Sequence, residues 1–395
     1  MNPSAAGWID KFGSIVKEGA QPYTSFDNLY NDLKTTGLIY GINISVPVFI
    51  QSELRLTEDE NAKINLLTAF YYTYRLEARD ADFKGFVEAI FKFYTLLEIG
   101  QISFLDKILS GKKTSSQLEK LIESRIYLEG NFISKTFNSS ITNSLLFIDV
   151  LTFKNYLAEQ SNCREHAQKL ERTTINLTYH ALNSKEKSKK DEKLAQLFAA
   201  SLTYTESQKA LFDGSYRDGM IDHFSKEENQ YFMDISCLTV WEDHSLEYKE
   251  SEFIFGIGKD LGFGEVHIAK CLEDVYEFFK VNSQKIPHLK QLNPALQFYD
   301  NMAKVVDKLI LRNSKRLQKE LSESKELVAL LSRSTVRDLT TEEKKKVQKY
   351  LLDIFKSIPS LAIFLLPGGA VLLPIFIKLI PKLLPSSFDD NRIDP

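Results

Sequence analysis

The chain is poor in the residues that announce chemistry. Its three cysteines, Cys163, Cys237 and Cys271, form no C-x-x-C pair and leave one thiol over, so neither a disulfide framework nor a zinc ribbon is expected. They read as reduced core residues. The six histidines are scattered without H-E-x-x-H spacing, no G-x-S-x-G elbow occurs, and no cysteine carries a local nucleophile signature. No enzyme activity is expected. The stretch Gly256-Ile257-Gly258-Lys259-Asp260-Leu261-Gly262-Phe263-Gly264 is rich in glycine, yet it lacks a preceding strand and the spacing of a phosphate loop. The first twenty residues include Trp8, Asp10, Lys11 and Glu18 and have no continuous apolar core, which argues against a secretory signal. Arginine is absent before Arg55, which argues against an arginine-rich organellar presequence. A formal net charge of -3, with no basic stripe interleaved with aromatics, gives nucleic acid no foothold as a partner.

What the chain does have is helical periodicity, at 43% apolar and 26% charged content. Apolar residues recur at helical spacing in Asn61 to Arg79, Phe83 to Ile99, Gln117 to Leu128, Ser144 to Gln160, Lys193 to Thr203, Gln230 to Trp241, Glu250 to Leu261, Val266 to Val281 and Pro294 to Ser332. The fold expected is all-α: one or more cytoplasmic multi-helix bundles with a single proline-broken transmembrane segment at the carboxyl end. Gly37 to Ile50 fits either a strand or a buried helix. Asn183 to Lys193 is dense in charge and free of apolar residues, as a solvated linker should be. The expected division is an amino-terminal helical domain at 1–165, a second at 193–295, a long helix or helical hairpin at 296–350, a membrane segment at 351–388 and a short tail at 389–395. Glu88 and Glu98 lie in a helix punctuated by Lys84 and Lys92, and they mark its polar face.

One stretch, Ser357 to Ile377, has no charged residue at all. About 20 apolar residues rising about 1.5 Å each can cross a bilayer core of about 30 Å. Pro359, Pro367 and Pro374 lie inside it and Gly368-Gly369 near its centre, so a helix must kink or break there. Lys344, Lys345, Lys346, Lys349 and Lys356 precede it, against Lys378, Lys382 and Arg392 after it, with Asp389, Asp390 and Asp394 nearby. That bias places the bulk of the chain on the cytoplasmic side.

Asp353, Lys356, Pro359, Pro367, Gly368, Pro374, Lys378, Pro381 and Leu383-Leu384-Pro385-Ser386-Ser387-Phe388 follow one another in an order and spacing that resembles the membrane segment of the leucine-zipper and EF-hand-containing transmembrane family. The resemblance implies an integral membrane protein whose relatives take part in cation and proton homeostasis, some bacterial ones bearing a name linked to biofilms. A bacterial inner membrane is the expected location, and the lipid bilayer, a homo-oligomer or a membrane protein the expected partner. Relatives carry a large ribosome-contacting helical domain beyond the span. This sequence stops at Pro395, so a ribosome is not expected as a partner. No Asp-x-Asp-x-Asp-Gly loop supplies the oxygens of an EF-hand.

A second resemblance covers about 35 residues from Tyr231. Asp243 in the turn after Trp241-Glu242, Glu250 seven residues on and Leu261-Gly262 beyond are similar to the helical hairpin of tellurite-resistance TerB-like domains, with His244 where relatives have glycine. The resemblance implies acidic, cation-binding roles for Asp243 and Glu250, and a turn folded back on the second helix would add Glu247, making the three candidate oxygen ligands for a divalent cation, the one cofactor in prospect. Capping and the helix dipole explain acids at a helix start equally well. Three functions remain open: a non-enzymatic membrane-anchored protein of ion homeostasis or envelope organisation, an oligomeric cation/proton exchanger, and a soluble all-α interaction protein whose apolar tail is buried.

Overall fold

In chain order the helices are α1 (Trp8–Glu18), α2 (Phe26–Thr36), α3 (Glu58–Glu77), α4 (Phe83–Leu96), α5 (Ser115–Ile126), α6 (Asn138–Glu159), α7 (Cys163–Ser184), α8 (Met220–His223), α9 (Lys226–Val240), α10 (Tyr248–Asp260), α11 (Glu265–Asn282), α12 (Ser314–Glu323), α13 (Lys325–Val336) and α14 (Thr341–Ser357). The computed structural model describes residues 1–19, 21–52, 55–78, 82–97, 108–126, 138–159, 162–184, 217, 220–241, 248–282, 306, 310–311, 313–337, 339–358, 361, 376–377 and 379–380. Among the described residues there is no strand, so the fold is all-α.

The bundle is organised around α3. Every residue from Asn61 to Thr73 is buried, polar ones included, so this helix has no solvent face along that length. Helices α2, α4, α5 and α6 surround it. Its aromatic ring Phe70 meets Phe153 of α6 edge-on at 5.4 Å and Tyr94 of α4 at 6.0 Å. Burying such a side chain contributes about 1.5–3 kcal/mol, and the edge-on pairing roughly 0.5–1.5 more. From α6 the packing passes to α7, from α7 to α9, and from α9 to α10 and α11.

Helix α7 occupies most of the stretch where a domain boundary was expected. Its inward residues Ala167, Leu170, Thr174, Ile175, Leu177 and Ala181 are buried at helical spacing, and it packs on α6, α9 and α10. It thus packs against helices of both expected regions. Sequence reading missed this helix because polar and charged residues, Arg164 to Glu171 and Arg172, interrupt its apolar stripe. Most of the charged linker and the helix expected at Lys193 to Thr203 lie outside the described residues.

Gly37 to Ile50 is neither a strand nor a helix. Gly37 ends α2 in the left-handed region at φ 92°, with its N–H on Lys34 O at 3.1 Å and the Leu38 N–H on Leu33 O at 3.0 Å. A Cβ there would sit 1.8 Å from the Ile42 carbonyl oxygen, which only glycine avoids. The segment then runs partly buried along α3, with Val48 turned to solvent, and Asn61 Nδ2 donates to Asn43 O at 3.0 Å and Asn65 Nδ2 to Ser45 O at 2.9 Å. Side-chain amides stand in for the strand partner that buried backbone would otherwise need.

A long helix or a helical hairpin was expected at 296–350, and its described part is divided. Ser324, at φ -114° and ψ 79°, separates α12 from α13, in the run Ser322-Glu323-Ser324 whose hydroxyls compete for backbone groups. Helix α14 stops at Ser357. Ile358 is extended, at φ -116° and ψ 102°, as a residue preceding proline prefers. No helix among the described residues is long and apolar enough to cross a membrane, so the expected transmembrane helix is not observed. Most of its length lies outside those residues.

Candidate functional site

Helices α12, α13 and α14 pack in series at the carboxyl end. Thr340 starts α14: its Oγ1 accepts from the Glu343 N–H at 3.3 Å while Glu343 Oε2 accepts from the Thr340 N–H at 2.9 Å. The same carboxylate receives Arg337 Nη2 at 2.7 Å and Arg333 Nη1 at 3.3 Å from α13 and the loop that follows it. The Arg337 hydrogen bonds, then the Thr340 N–H, pull the Glu343 carboxyl down to about 2. Glu326 of α13 accepts from Lys346 Nζ at 2.8 Å and from the Tyr350 hydroxyl at 2.6 Å. These are exposed pairs and contribute little each. Together they hold α13 and α14 in one register.

The opposite side of α14 is apolar. Val347, Leu351, Ile354, Phe355 and Ile358 are buried at helical spacing. Beyond α14, Leu361, Phe376, Ile377 and Ile380 are buried as well. The Phe355 and Phe376 rings meet edge-on, with centroids 5.0 Å apart and planes at 83°. A straight helix would separate residues 21 positions apart by about 31 Å. The two ends of the uncharged segment therefore lie side by side.

Of the motif residues, Asp353 is exposed and pairs with Lys356 at 3.4 Å, a surface contact between neighbouring turns. Pro359, Pro367, Gly368, Pro374, Lys378, Pro381, Pro385 and Phe388 lie outside the described residues, as do Asp243 and Glu247. Glu250 is buried in the first turn of α10 and is engaged with other groups there. Among the described residues no group of three or more His, Cys, Asp or Glu is placed to hold a metal ion.

Two buried ionic networks escaped the sequence reading. Lys34 of α2 lies between Asp234 of α9 and Asp274 of α11, with Nζ 2.8 Å from each carboxylate. Asp234 also accepts from the Tyr30 hydroxyl at 2.8 Å and from Gln230 Nε2 at 2.9 Å. Burial alone would lower the lysine's affinity for its proton. Asp234 first, then Asp274, outweigh this and hold Lys34 above the usual lysine range. Asp274 mirrors it: burial pushes the carboxyl up, while Lys34 and then Lys270 hold it below its ordinary value. The second network joins α4, α5 and α6: Arg125 grips Asp149 with Nε at 2.7 Å and Nη2 at 2.9 Å, and the Tyr94 hydroxyl adds a third bond at 2.7 Å. Lys34 and Asp234 are buried, as are Arg125 and Asp149; the first network staples helices distant in sequence, the second three successive helices.

With this geometry in place, comparison with known families adds one decisive point. The family model described as "LETM1-like, RBD" matches residues 339–394. The carboxy-terminal segment is similar to Letm-type proteins. The match begins at the foot of α14, includes nearly all of the apolar segment's flanks, and does not reach residues 231–262, where the TerB-like likeness was drawn. No curated protein and no solved structure matches the chain.

Proposed function

We propose that this is a non-enzymatic, membrane-attached helical protein of Letm type, acting in cation and proton homeostasis or in envelope organisation from the cytoplasmic face of a bacterial inner membrane. Its apolar segment enters lipid as a hairpin, and the bilayer is its principal partner. The observation that carries this reading is the Phe355–Phe376 contact, which brings together the two ends of a stretch with no charge. Pro367-Gly368-Gly369 stands midway and supplies turn residues. Each arm, from 357 to 366 and from 370 to about 380, has roughly ten residues, which as a helix would reach about 15 Å, half of a bilayer core. A hairpin also accounts for basic residues on both flanks, since Lys344 to Lys356 and Lys378 to Arg392 then face the same leaflet. The uncharged stretch offers no carboxylate to bind a cation or relay a proton. An oligomeric exchanger would have to conduct through backbone carbonyls or a partner protein.

A second reading, a soluble protein with its tail buried in its own core, draws on the burial of Leu361, Phe376, Ile377 and Ile380. Alkaline carbonate washing of membranes from cells expressing the full chain separates the two. The protein is expected to stay with the pellet until detergent is added. Recovery in the wash as a monodisperse species would overturn membrane attachment and leave the second reading.

A further inference from the structure

We propose that the outward side of α14 is a docking face for anionic lipid headgroups. The inference rests on the membrane reading above and names the chemistry of the surface met. Lys345, Lys349, Leu352 and Lys356 are spaced four, three and four residues apart, so they share one side of the helix. The apolar residues Val347, Leu351, Ile354 and Phe355 occupy the buried side. Lys345 and Lys349 are exposed and carry no ion pair among the described residues, in contrast to Lys346, which Glu326 neutralises at 2.8 Å.

Residues 313–358 contain eleven Lys and Arg against seven Asp and Glu, a net of +4 in a chain whose formal net charge is -3. Positive charge is thus concentrated on the three helices that lead into the apolar segment, and the lysine side of α14 runs to its very edge at Ser357. With that segment in lipid, α14 lying along the surface brings both free lysines within a Debye length, about 10 Å at 0.1 M salt, of the headgroups. The half-buried Leu352, one turn beyond Lys349 on the same side, then rests at the interface.

Flotation of the full-length protein with vesicles of pure phosphatidylcholine, and with vesicles containing phosphatidylglycerol, tests this. The wild type is expected to float with both and to bind the anionic vesicles roughly ten to a hundred times more tightly, the gain disappearing at high salt. Lys345→Glu/Lys349→Glu, two exposed changes, is expected to keep its thermal unfolding and its binding to neutral vesicles while losing that gain. Equal wild-type binding to neutral and anionic vesicles would overturn the docking face and leave membrane attachment intact. Failure to float with either would overturn membrane attachment itself. A charge-reversed variant that keeps the anionic gain but loses retention on immobilised poly(U) RNA would assign these lysines to nucleic acid instead and would also overturn the proposal.

Discussion

Asp149→Asn is expected to cost about 3–5 kcal/mol of unfolding free energy in urea denaturation, a large share of the roughly 5–15 kcal/mol that a domain commands. Arg125 and Asp149 are almost fully buried, at 2% and 1% side-chain exposure, and hold each other through two parallel hydrogen bonds. The amide can accept only one of those bonds, and it leaves the guanidinium charge uncompensated in the core. The cost therefore measures an orphaned cation more than a lost attraction. Replacing both partners by apolar residues, Arg125→Met with Asp149→Leu, is expected to restore most of the loss. Tyr94→Phe, which removes one hydrogen bond to the same carboxylate, is expected to cost about 1–3 kcal/mol. A single Asp149→Asn variant within 1 kcal/mol of wild type would show that the pair holds little of the bundle together.

Lys34→Met is expected to be comparably severe, about 3–5 kcal/mol at neutral pH, because it strips the cation from between Asp234, which is wholly buried, and Asp274, which is 30% exposed. Its pH dependence gives the sharper signature. Lys34 is raised above its unfolded value, so its contribution is complete below about pH 10 and lost only as pH rises through the higher folded value. Asp274 is depressed, so its contribution is complete above the unfolded carboxylate value near 4 and lost as pH falls through the folded one. The difference in stability between wild type and variant is thus expected to be flat from about pH 5 to pH 9 and to shrink below about pH 4. A difference that changed steadily across the neutral range would assign the lysine's effect to some other group.

How far these features were legible in the sequence follows from the range of each signal. Helices with a strong apolar stripe, such as α4, α9 and α11, lie within a few residues of their expected limits, because periodicity is a local property. Helix α7 was hidden by polar residues that the neighbouring helices, rather than the local pattern, make tolerable. The ionic staples left a partial trace. Asp149 interrupts the apolar run Leu145-Leu146-Phe147-Ile148, Asp234 stands between Met233 and Ile235, and Arg125 falls on the stripe of Leu118, Leu121 and Ile122. A charge on a core-facing position announces that it has a partner. It does not say which, since Lys34 is 200 residues from Asp234 and 240 from Asp274. In the carboxy-terminal segment the prolines and lysines carried the family likeness, while the meeting of Phe355 with Phe376 depends on how the segment turns, which composition leaves open.

A hairpin in lipid requires the uncharged stretch to have both of its ends on one side of the membrane. Single cysteines placed at Ser357 and at Ser386, on either side of the stretch, report this directly, since Cys163, Cys237 and Cys271 are all buried and offer little background. In sealed vesicles a membrane-impermeant maleimide is expected to label both positions from the same side and neither from the other. Labelling of the two positions from opposite sides would show a segment that crosses the bilayer, and would contradict the hairpin.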